Sequence, residues 1–297
     1  MILWVDTFNN FFKPETLVAG MKVLEAAGFQ VVIAKKVICC GRPLYDFGML
    51  DTAKNMLLQI LDTLRDEIRA GTPVVGLEPS CVSVFRDELC DLLLANEDAK
   101  RLKEQTFTLA EFLEKKAPDF KIPQLHRNAI VHGHCHHNAI MKMDSEERLL
   151  QKMGLHYNVL DSGCCGMAGY FGYLKGDKYD VSVKAGERVL LPAVRGVDKK
   201  TLVISDGYSC REQIEQMTDR EGMHIAQVLQ MALDENGRDE REATNYPEKK
   251  YVDGMQLYSA GLTVKRAVVV LSVTSLVAFS CLLISKKRRK INKYGMK

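Results

Sequence analysis

The chain has 297 residues, of which 46% are hydrophobic and 27% are charged, and these globular proportions exclude a disordered polypeptide. A net charge of +3, much of it near the C-terminus, is too small to indicate a nucleic-acid partner. Because the N-terminus has no basic region and no long apolar core, we expect no signal peptide, and the nine cysteines then indicate metal or redox ligands rather than disulfides.

Strands and helices alternate along the first part of the chain. Pro14 in a first turn and Glu15 near the positive end of the helix dipole predict a helix start, and Gly28 predicts its end. The β-branched residues over 31–33 are typical of a strand. The predicted elements are a strand over 2–5, a helix over about 14–27, a strand over 30–34, a helix over about 51–70, a strand over 73–77 and a helical connector over 91–125.

The same alternation returns in the second part of the chain. Its predicted elements are a strand over 129–131, a helix over 145–153, a strand over 156–160, a helix over 181–191 and a strand over 201–204. Alternating strands and helices indicate right-handed crossovers and mostly parallel sheets. We therefore expect an α/β fold of two tandem repeated βαβ-type modules, the first over 1–125 and the second over 126–233.

Each module carries a Cys-Cys-Gly triplet, at 39–41 and at 164–166, and a further cysteine after it. These segments follow predicted strands at their carboxyl ends, where ligands collect in open α/β sheets. The sequence therefore predicts that each module gathers one set of site residues. The first set is Asp6, Cys39, Cys40 and Cys81, and the second set is Cys135, Cys164, Cys165 and Cys210.

The two sets indicate a metal centre, because thiolates suit both iron–sulfur clusters and zinc. Adjacent sulfurs bind different metal atoms more readily than they chelate one ion, and the chain has no Cys-x-x-Cys clip, so an iron–sulfur cluster is favoured and zinc is the alternative. Histidines surround Cys135, and metal ligation, proton relay and a loop hydrogen bond are all open for them. The favoured accessory residues are His134 and His136.

Six stretches together carry a family resemblance over about residues 1–233: 4–10, 39–46, 78–81, 133–136, 164–169 and 208–211. They resemble the cysteine-rich CCG domain found in the B-type subunit of heterodisulfide reductase and in the iron–sulfur subunits of glycolate oxidase and anaerobic glycerol-3-phosphate dehydrogenase. They are more similar still to the C-terminal part of FAD-linked D-lactate or glycolate dehydrogenases. The resemblance implies a paired α/β fold and electron transfer from a flavin towards a quinone or similar acceptor through 4Fe-4S clusters, cubane or non-cubane.

The chain departs from the family pattern of a leading cysteine, a cysteine pair and a Cys-x-x-Cys clip. Asp6 stands at the first leading position, and Glu78 and Gly207 stand at the first clip positions. The sequence also lacks the flavin-binding region and the ferredoxin motif, so FAD is expected on a partner subunit or a missing domain. We expect the cluster in the second set, with the first set degenerate or completed by Asp6, which otherwise caps the loop after its strand.

The leading hypothesis is therefore an iron–sulfur electron-transfer module of a FAD-linked 2-hydroxy-acid dehydrogenase, acting on D-lactate or glycolate. Two alternatives stay open. One is thiol–disulfide reduction at the cluster, as in heterodisulfide reductase. The other is a zinc-binding structural module that docks a flavoprotein.

The C-terminal region has a different composition. We predict a charged linker over 234–266, an uncharged hydrophobic helix over 267–285 that is nearly long enough to span a bilayer, and a basic tail over 286–297. The basic tail favours a cytoplasmic C-terminus, but a cluster-bearing domain without a signal peptide is expected in the cytoplasm as well. We therefore expect the chain at the cytoplasmic side of the cell membrane, as a single-pass or a peripheral protein.

Overall fold

Two parallel β-sheets form the centre of the fold in the computed structural model, which describes residues 1–36, 38–235 and 244–252. The first sheet has the strand order β1-β2-β3, with β1 at Ile2–Trp4, β2 at Val74–Gly76 and β3 at Thr106–Phe107. Leu3 pairs with Val75, and Val75 pairs with Phe107. All residues of these strands are buried, as expected for a parallel sheet covered on both faces.

Two differences from the predicted elements concern the first sheet. The predicted strand over 30–34 is reduced to a single bridge between Val32 and Ile2, because the segment lies at the sheet edge with Val32 and Ile33 exposed. The connector over 91–125, predicted as helical, contains β3. A strand of two residues is too short for side-chain periodicity to reveal it.

Nine helices of the described residues belong to the first half, more than the sequence predicted, because the short helices Thr7–Phe12, Arg42–Asp46 and Pro79–Arg86 were not expected. The predicted helix over 51–70 is divided into two helices. The first ends at Thr63, and Leu64 separates it from the second, shorter one. The helices are α1 Thr7–Phe12, α2 Pro14–Ala26, α3 Arg42–Asp46, α4 Leu50–Thr63, α5 Arg65–Arg69, α6 Pro79–Arg86, α7 Glu88–Leu92, α8 Glu97–Gln105 and α9 Leu109–Lys116.

The second sheet has the order β5-β4-β6, with β4 at Asn128–Val131, β5 at His156–Val159 and β6 at Leu202–Ile204. All its pairings are parallel, so the predicted α/β fold with parallel sheets is confirmed. The predicted helix over 181–191 is instead divided between two helices. The helical segments are a π-helical turn at His137–Met141, α10 Asp144–Lys152, a 3₁₀ turn at Phe171–Tyr173, α11 Asp177–Gly186, α12 Leu190–Gly196, α13 Tyr208–Met217, α14 Ile225–Glu235 and α15 Lys249–Val252.

The two sheets share one hydrophobic core. Leu3 and Phe112 from the first half belong to the same buried cluster as Val131, Leu202 and Met231 from the second half. Helix α2 packs against α14, which joins the two halves directly. Residues 1–252 therefore form one compact unit, although each half has its own sheet.

The end of the described chain returns to this core. Glu248 forms a buried ion pair with Arg220 at 2.7 Å, and Tyr251 and Val252 belong to the shared hydrophobic cluster. These residues fall within the predicted solvated linker over 234–266, and Glu248, Tyr251 and Val252 are buried rather than solvated. The ion pair supplies the missing partner for the charge of Glu248, which makes its burial possible.

The predicted hydrophobic helix over 267–285 and the basic tail over 286–297 lie outside the described residues. Within the ranges that the structure describes, no helix is both long and apolar enough to cross a membrane.

Candidate metal centre

The first set brings three thiols together from two segments. Cys39 and Cys40 lie in the loop before α3, and Cys81 is the third residue of α6. The sulfur atoms of Cys40 and Cys81 are 3.0 Å apart. The Cys39 thiol interacts with the Cys40 thiol and the Thr7 hydroxyl. The predicted gathering of these three cysteines is thus what the structure shows.

Two carboxylates lie beside these thiols, and both cap helices. Asp6 caps α1, accepting hydrogen bonds from the backbone amide and the side-chain amide of Asn9 at 2.9 and 2.8 Å. Glu78 caps α6 by accepting a hydrogen bond from the amide of Ser80 at 3.2 Å. Burial, followed by the neighbouring Glu78 carboxylate, raises the pKa of Asp6 to about 6. The capping role that the sequence left open for Asp6 is therefore present in the fold.

The environment of the first set favours protonated thiols. The neighbouring Cys40 thiol, followed by burial, raises the pKa of Cys39. The Cys39 thiol lowers the pKa of Cys40. The Cys81 thiol and burial raise it by more, so the pKa of Cys40 is raised overall. At Cys81 the bond from Cys40 lowers the pKa, and burial with the carboxylates of Asp6 and Glu78 raises it overall.

The four thiols of the second set lie close together. Cys164 interacts with Cys135 and Cys165, Cys165 interacts with Cys210, and the sulfurs of Cys165 and Cys210 are within 4.8 Å of each other. Cys210 is the third residue of α13, the position that Cys81 holds in α6. Cys165 and Cys210 are buried, whereas Cys135 and Cys164 are exposed. Four thiols from three segments thus meet at one place, with an open side and a buried side.

His132, one of the histidines that the sequence places around Cys135 but not one of the two favoured there, is also a member of this site. It follows β4 directly, and its ring lies within 4.8 Å of the sulfurs of Cys165 and Cys210. Its Nδ1 is 2.6 Å from the hydroxyl of Ser162, and its buried Nε2 has no hydrogen-bond partner. An orphaned imidazole nitrogen beside buried thiols fits a metal centre. Its position just after a strand was the sequence signal that could have found it.

The second set, unlike the first, favours two thiolates. The thiol of Cys135, followed by that of Cys165, lowers the pKa of Cys164 by donating hydrogen bonds. Cys165, followed by the imidazole of His132, lowers the pKa of Cys210. The pKa values of Cys135 and Cys165 are raised by the same contacts with Cys164. Burial lowers the pKa of His132. The interactions with the neighbouring Cys210 outweigh burial, so the pKa of His132 is raised overall.

The two predicted accessory histidines lie on the outer side of the second set. His134, His136 and Cys135 offer ligand atoms within 4.8 Å of one another. The His134 ring also packs on Gly207, where an added Cβ would lie 2.3 Å from His134 Cδ2 and 3.2 Å from the sulfur of Cys210. The imidazole therefore fills the space into which a cysteine at position 207 would project.

His136 is partly buried between the two sets. Burial, followed by the positive charge of Arg42, lowers its pKa to about 4, so its imidazole is neutral at physiological pH. Arg42 follows the first Cys-Cys-Gly triplet and pairs with Glu88 at 2.5 Å. The rings of Phe47 and Tyr170 stack with their centroids 4.2 Å apart, so the segments that follow the two triplets contact each other.

Comparison with known proteins agrees with this arrangement of cysteines. Residues 6–86, which contain the first set and α6, match the family model described as CCG, cysteine-rich domain. The chain contains a CCG cysteine-rich domain. In this CCG protein the matched region ends with α6, and the second set lies beyond it.

Three relatives show how the CCG protein compares with longer and shorter chains. The C subunit of anaerobic glycerol-3-phosphate dehydrogenase from Escherichia coli K12 is 30% identical over 233 residues, 76% of this chain and 57% of the relative. Lactate utilization protein A from Bacillus subtilis 168 is 26% identical over 239 residues, 76% of this chain and 97% of the relative. D-2-hydroxyglutarate dehydrogenase from Pseudomonas putida is 26% identical over 231 residues, 77% of this chain and 22% of the relative. The chain therefore spans a little over half of the E. coli relative.

Proposed function

We propose that this chain is the iron–sulfur electron-transfer part of a dehydrogenase and that the second set holds the cluster. The observation that carries the proposal is that the fold brings four interacting thiols together from three segments of the second half, with His132 within 4.8 Å of two of them. The names of the relatives support the assignment to a dehydrogenase, because they include a dehydrogenase, a dehydrogenase subunit and a lactate utilization protein.

The residues of the second set fit a cluster by their chemistry. Cys135, Cys164, Cys165 and Cys210 would hold it, and the orphaned Nε2 of His132 would face it. An iron–sulfur cluster supplies reversible one-electron chemistry when bound. The protein contributes a buried floor, formed by Cys165 and Cys210, and an exposed rim, formed by Cys135 and Cys164. The exposed rim is where an electron-transfer partner would approach.

The finer assignment is a FAD-linked 2-hydroxy-acid dehydrogenase with D-lactate or glycolate as substrate. In this proposal a flavoprotein subunit or domain binds FAD and delivers electrons to the second set. A quinone or a similar acceptor receives them, and the cluster is of the 4Fe-4S type. We place the complex at the cytoplasmic side of the cell membrane. The first set, whose neighbouring carboxylates cap α1 and α6, is structural in this proposal.

Metal analysis of the full chain tests the proposal. We expect protein purified under anaerobic conditions to contain iron and acid-labile sulfide, and to give an electron paramagnetic resonance signal on one-electron reduction or oxidation. Cys210→Ser is expected to lose most of the iron, whereas Cys81→Ser retains it. Cys90→Ser is the matched control, because Cys90 is a half-buried thiol of α7 outside both sets.

Two results would contradict the proposal. Stoichiometric zinc without iron in the anaerobic protein would support a structural module instead. Equal iron loss in Cys81→Ser and Cys210→Ser would show that the two sets are not distinguished as proposed. The substrate is tested separately, by asking whether D-lactate or glycolate reduces the cluster in the native complex with its flavoprotein.

A further inference from the structure

A buried cluster of one imidazole and two carboxyl groups lies behind the second set. His137 comes from the π-helical turn, Glu146 from α10, and Asp206 from the segment between β6 and α13. Their ligand atoms lie within 4.8 Å of one another, and His137 Nδ1 is 3.5 Å from Glu146 Oε2. None of the three side chains is more than 7% exposed. None of them belongs to the cysteine sets, and the proposed electron transfer does not use them.

Among the described residues, no lysine or arginine forms an ion pair with either carboxyl group. The guanidinium of Arg211 donates instead to the backbone carbonyl of Asp206 at 3.4 Å and to Asn9 at 2.6 Å, and the carboxylate of Asp206 accepts one hydrogen bond, from the amide of Ile225 at 2.9 Å. The guanidinium of Arg86, from the facing helix α6, forms its ion pair with Glu111. His224 is 3.5 Å from Asp206 but is held as a neutral ring. Its Nδ1 accepts a hydrogen bond from the amide of Ala226 at 2.9 Å, so Nε2 carries the proton that is donated to the Leu77 carbonyl at 2.8 Å.

Glu146 shows the consequence of this imbalance. Its Oε2 is buried and has no hydrogen-bond partner, although it is aimed at His137. Burial, followed by the neighbouring Asp206 carboxylate within 4.8 Å, raises the pKa of Glu146. Buried carboxylates in proteins are paired with cations or coordinate metals. The cluster thus has an acceptor atom that nothing in the described residues satisfies.

We propose that His137, Glu146 and Asp206 bind a divalent first-row metal ion of the zinc or iron(II) class. Ligand atoms of such an ion, each about 2.1 Å from the metal in tetrahedral geometry, lie about 3.4 Å apart, which agrees with the 3.5 Å between His137 and Glu146. Imidazole and carboxylate donors suit this class of ion, and they differ from the thiols of the cysteine sets. The π-helical turn that presents His137 is a feature often found at functional sites.

The location gives the proposed ion a structural consequence. His137 lies just after Cys135 in the chain, and Asp206 lies just before the helix that carries Cys210. An ion shared by the two would hold together the loops that present both cysteines. The site stands independently of the proposed cluster, because it uses none of the thiols.

Cobalt(II) added to the full chain, with its cysteine centre as purified anaerobically, is the probe for this site. We expect one cobalt ion to bind with visible d–d bands and without the near-ultraviolet thiolate charge-transfer bands that cysteine ligation gives. Glu146→Gln keeps the side-chain shape and is expected to weaken cobalt binding at least tenfold. Asp144→Asn, at an exposed position of the same helix α10, is the matched control and should bind as the unchanged protein does.

The proposal is overturned if the unchanged protein binds no cobalt beyond its thiols, or if Glu146→Gln and Asp144→Asn bind it equally. X-ray absorption of the unchanged protein provides a second measurement that does not depend on the folding of a variant. A first coordination shell of nitrogen and oxygen atoms alone around the added cobalt supports the site, and a coordination shell that contains sulfur overturns it. Iron content of the same samples reports separately on the cysteine centre.

Discussion

The carboxylate of Glu78 accepts a hydrogen bond from the backbone amide of Tyr208 at 2.9 Å, although the two residues are 130 positions apart. Its other oxygen caps α6 at Ser80. One buried side chain therefore holds the N-termini of both α6 and α13. Because Cys81 and Cys210 are each the third residue of these helices, Glu78 sets the position of one cysteine set relative to the other.

Replacing Glu78 is expected to destabilise the whole fold. Glu78→Ala removes the cap of α6 and leaves the buried amide of Tyr208 without a partner, so we expect a loss of about 2–3 kcal/mol in unfolding free energy. Glu78→Gln keeps one acceptor oxygen and should lose less. Urea denaturation of the full chain measures both.

Asn96→Ala is the matched control for Glu78, because Asn96 caps α8 by accepting a hydrogen bond from the amide of Ala99, a contact within the first half. We expect it to cost about 1 kcal/mol. Equal losses in Asn96→Ala and Glu78→Ala would show that the bond to Tyr208 contributes nothing to stability.

The glycines of the two Cys-Cys-Gly triplets are expected to respond differently to substitution. Both have positive φ, +81° at Gly41 and +103° at Gly166. An added Cβ at Gly41 meets nothing closer than 3.8 Å, so Gly41→Ala should cost only the conformational penalty of about 1–2 kcal/mol. At Gly166 the Cβ would lie 2.1 Å from the carbonyl oxygen of Ser182, and we expect Gly166→Ala to cost more than about 3 kcal/mol.

Thermal unfolding of the two variants, with iron content as a second measurement, tests this difference. We expect Gly166→Ala to disturb the second set and lower its iron content, while Gly41→Ala leaves the iron in place. Similar unfolding temperatures for the two variants would be inconsistent with the backbone contact at Ser182.

Much of the fold could be predicted from the chain because its signals are local. Apolar runs such as 129–131, bounded by helix and turn residues, predicted strands that the structure contains. The chain also predicted that each cysteine pair meets its distant cysteine, because the carboxyl ends of parallel strands share one edge. These conclusions needed only the order of elements and the position of the cysteines.

The features that the sequence did not reveal depend on packing between distant residues. The bond from Tyr208 to Glu78 and the buried pair of Arg220 with Glu248 join segments with no local pattern in common. The difference between the sets arises in the same way. Capping carboxylates lie beside Cys81, and the His132 imidazole lies beside Cys210, so equal triplets acquire unequal surroundings.

Glu15 is expected to make the stability of the protein depend on pH. Burial raises the pKa of this α2 carboxyl group from 4.5 to about 7, and one of its oxygens has no hydrogen-bond partner. Because the folded state holds the proton more tightly, the stabilising contribution is complete below pH 4.5 and is lost as the pH rises through about 7. Glu15→Gln removes this loss. Its advantage in unfolding free energy over the unchanged protein should therefore be larger at pH 8 than at pH 4, by on the order of 2 kcal/mol.

Urea denaturation at pH 4, 6 and 8 measures the effect. Glu25→Gln, an exposed position of the same helix, serves as the control and should show the same pH dependence as the unchanged protein. A pH-independent difference between Glu15→Gln and the unchanged protein would contradict the prediction.

The buried pair of Arg220 and Glu248 is expected to be required for attachment of the segment 244–252. Glu248→Ala leaves a guanidinium buried without its carboxylate, which typically costs about 3–5 kcal/mol. We expect lower stability and faster proteolysis near residue 244. The exposed pair of Arg195 with Glu187 provides the comparison, since Glu187→Ala should cost less than about 1 kcal/mol. Equal proteolysis of the two variants would show that the segment is held by its apolar residues alone.

The bond between Arg211 and Asn9, at 2.6 Å and across 202 positions, has a consequence for biosynthesis. Asn9 orients Asp6 beside the first set, and α2 rests on α14, so the N-terminal half acquires its final surroundings only from residues near the end of the compact unit. Contacts of such long sequence separation form late. Nearly all of this unit must therefore have left the ribosome before Asn9 and α2 acquire their final contacts.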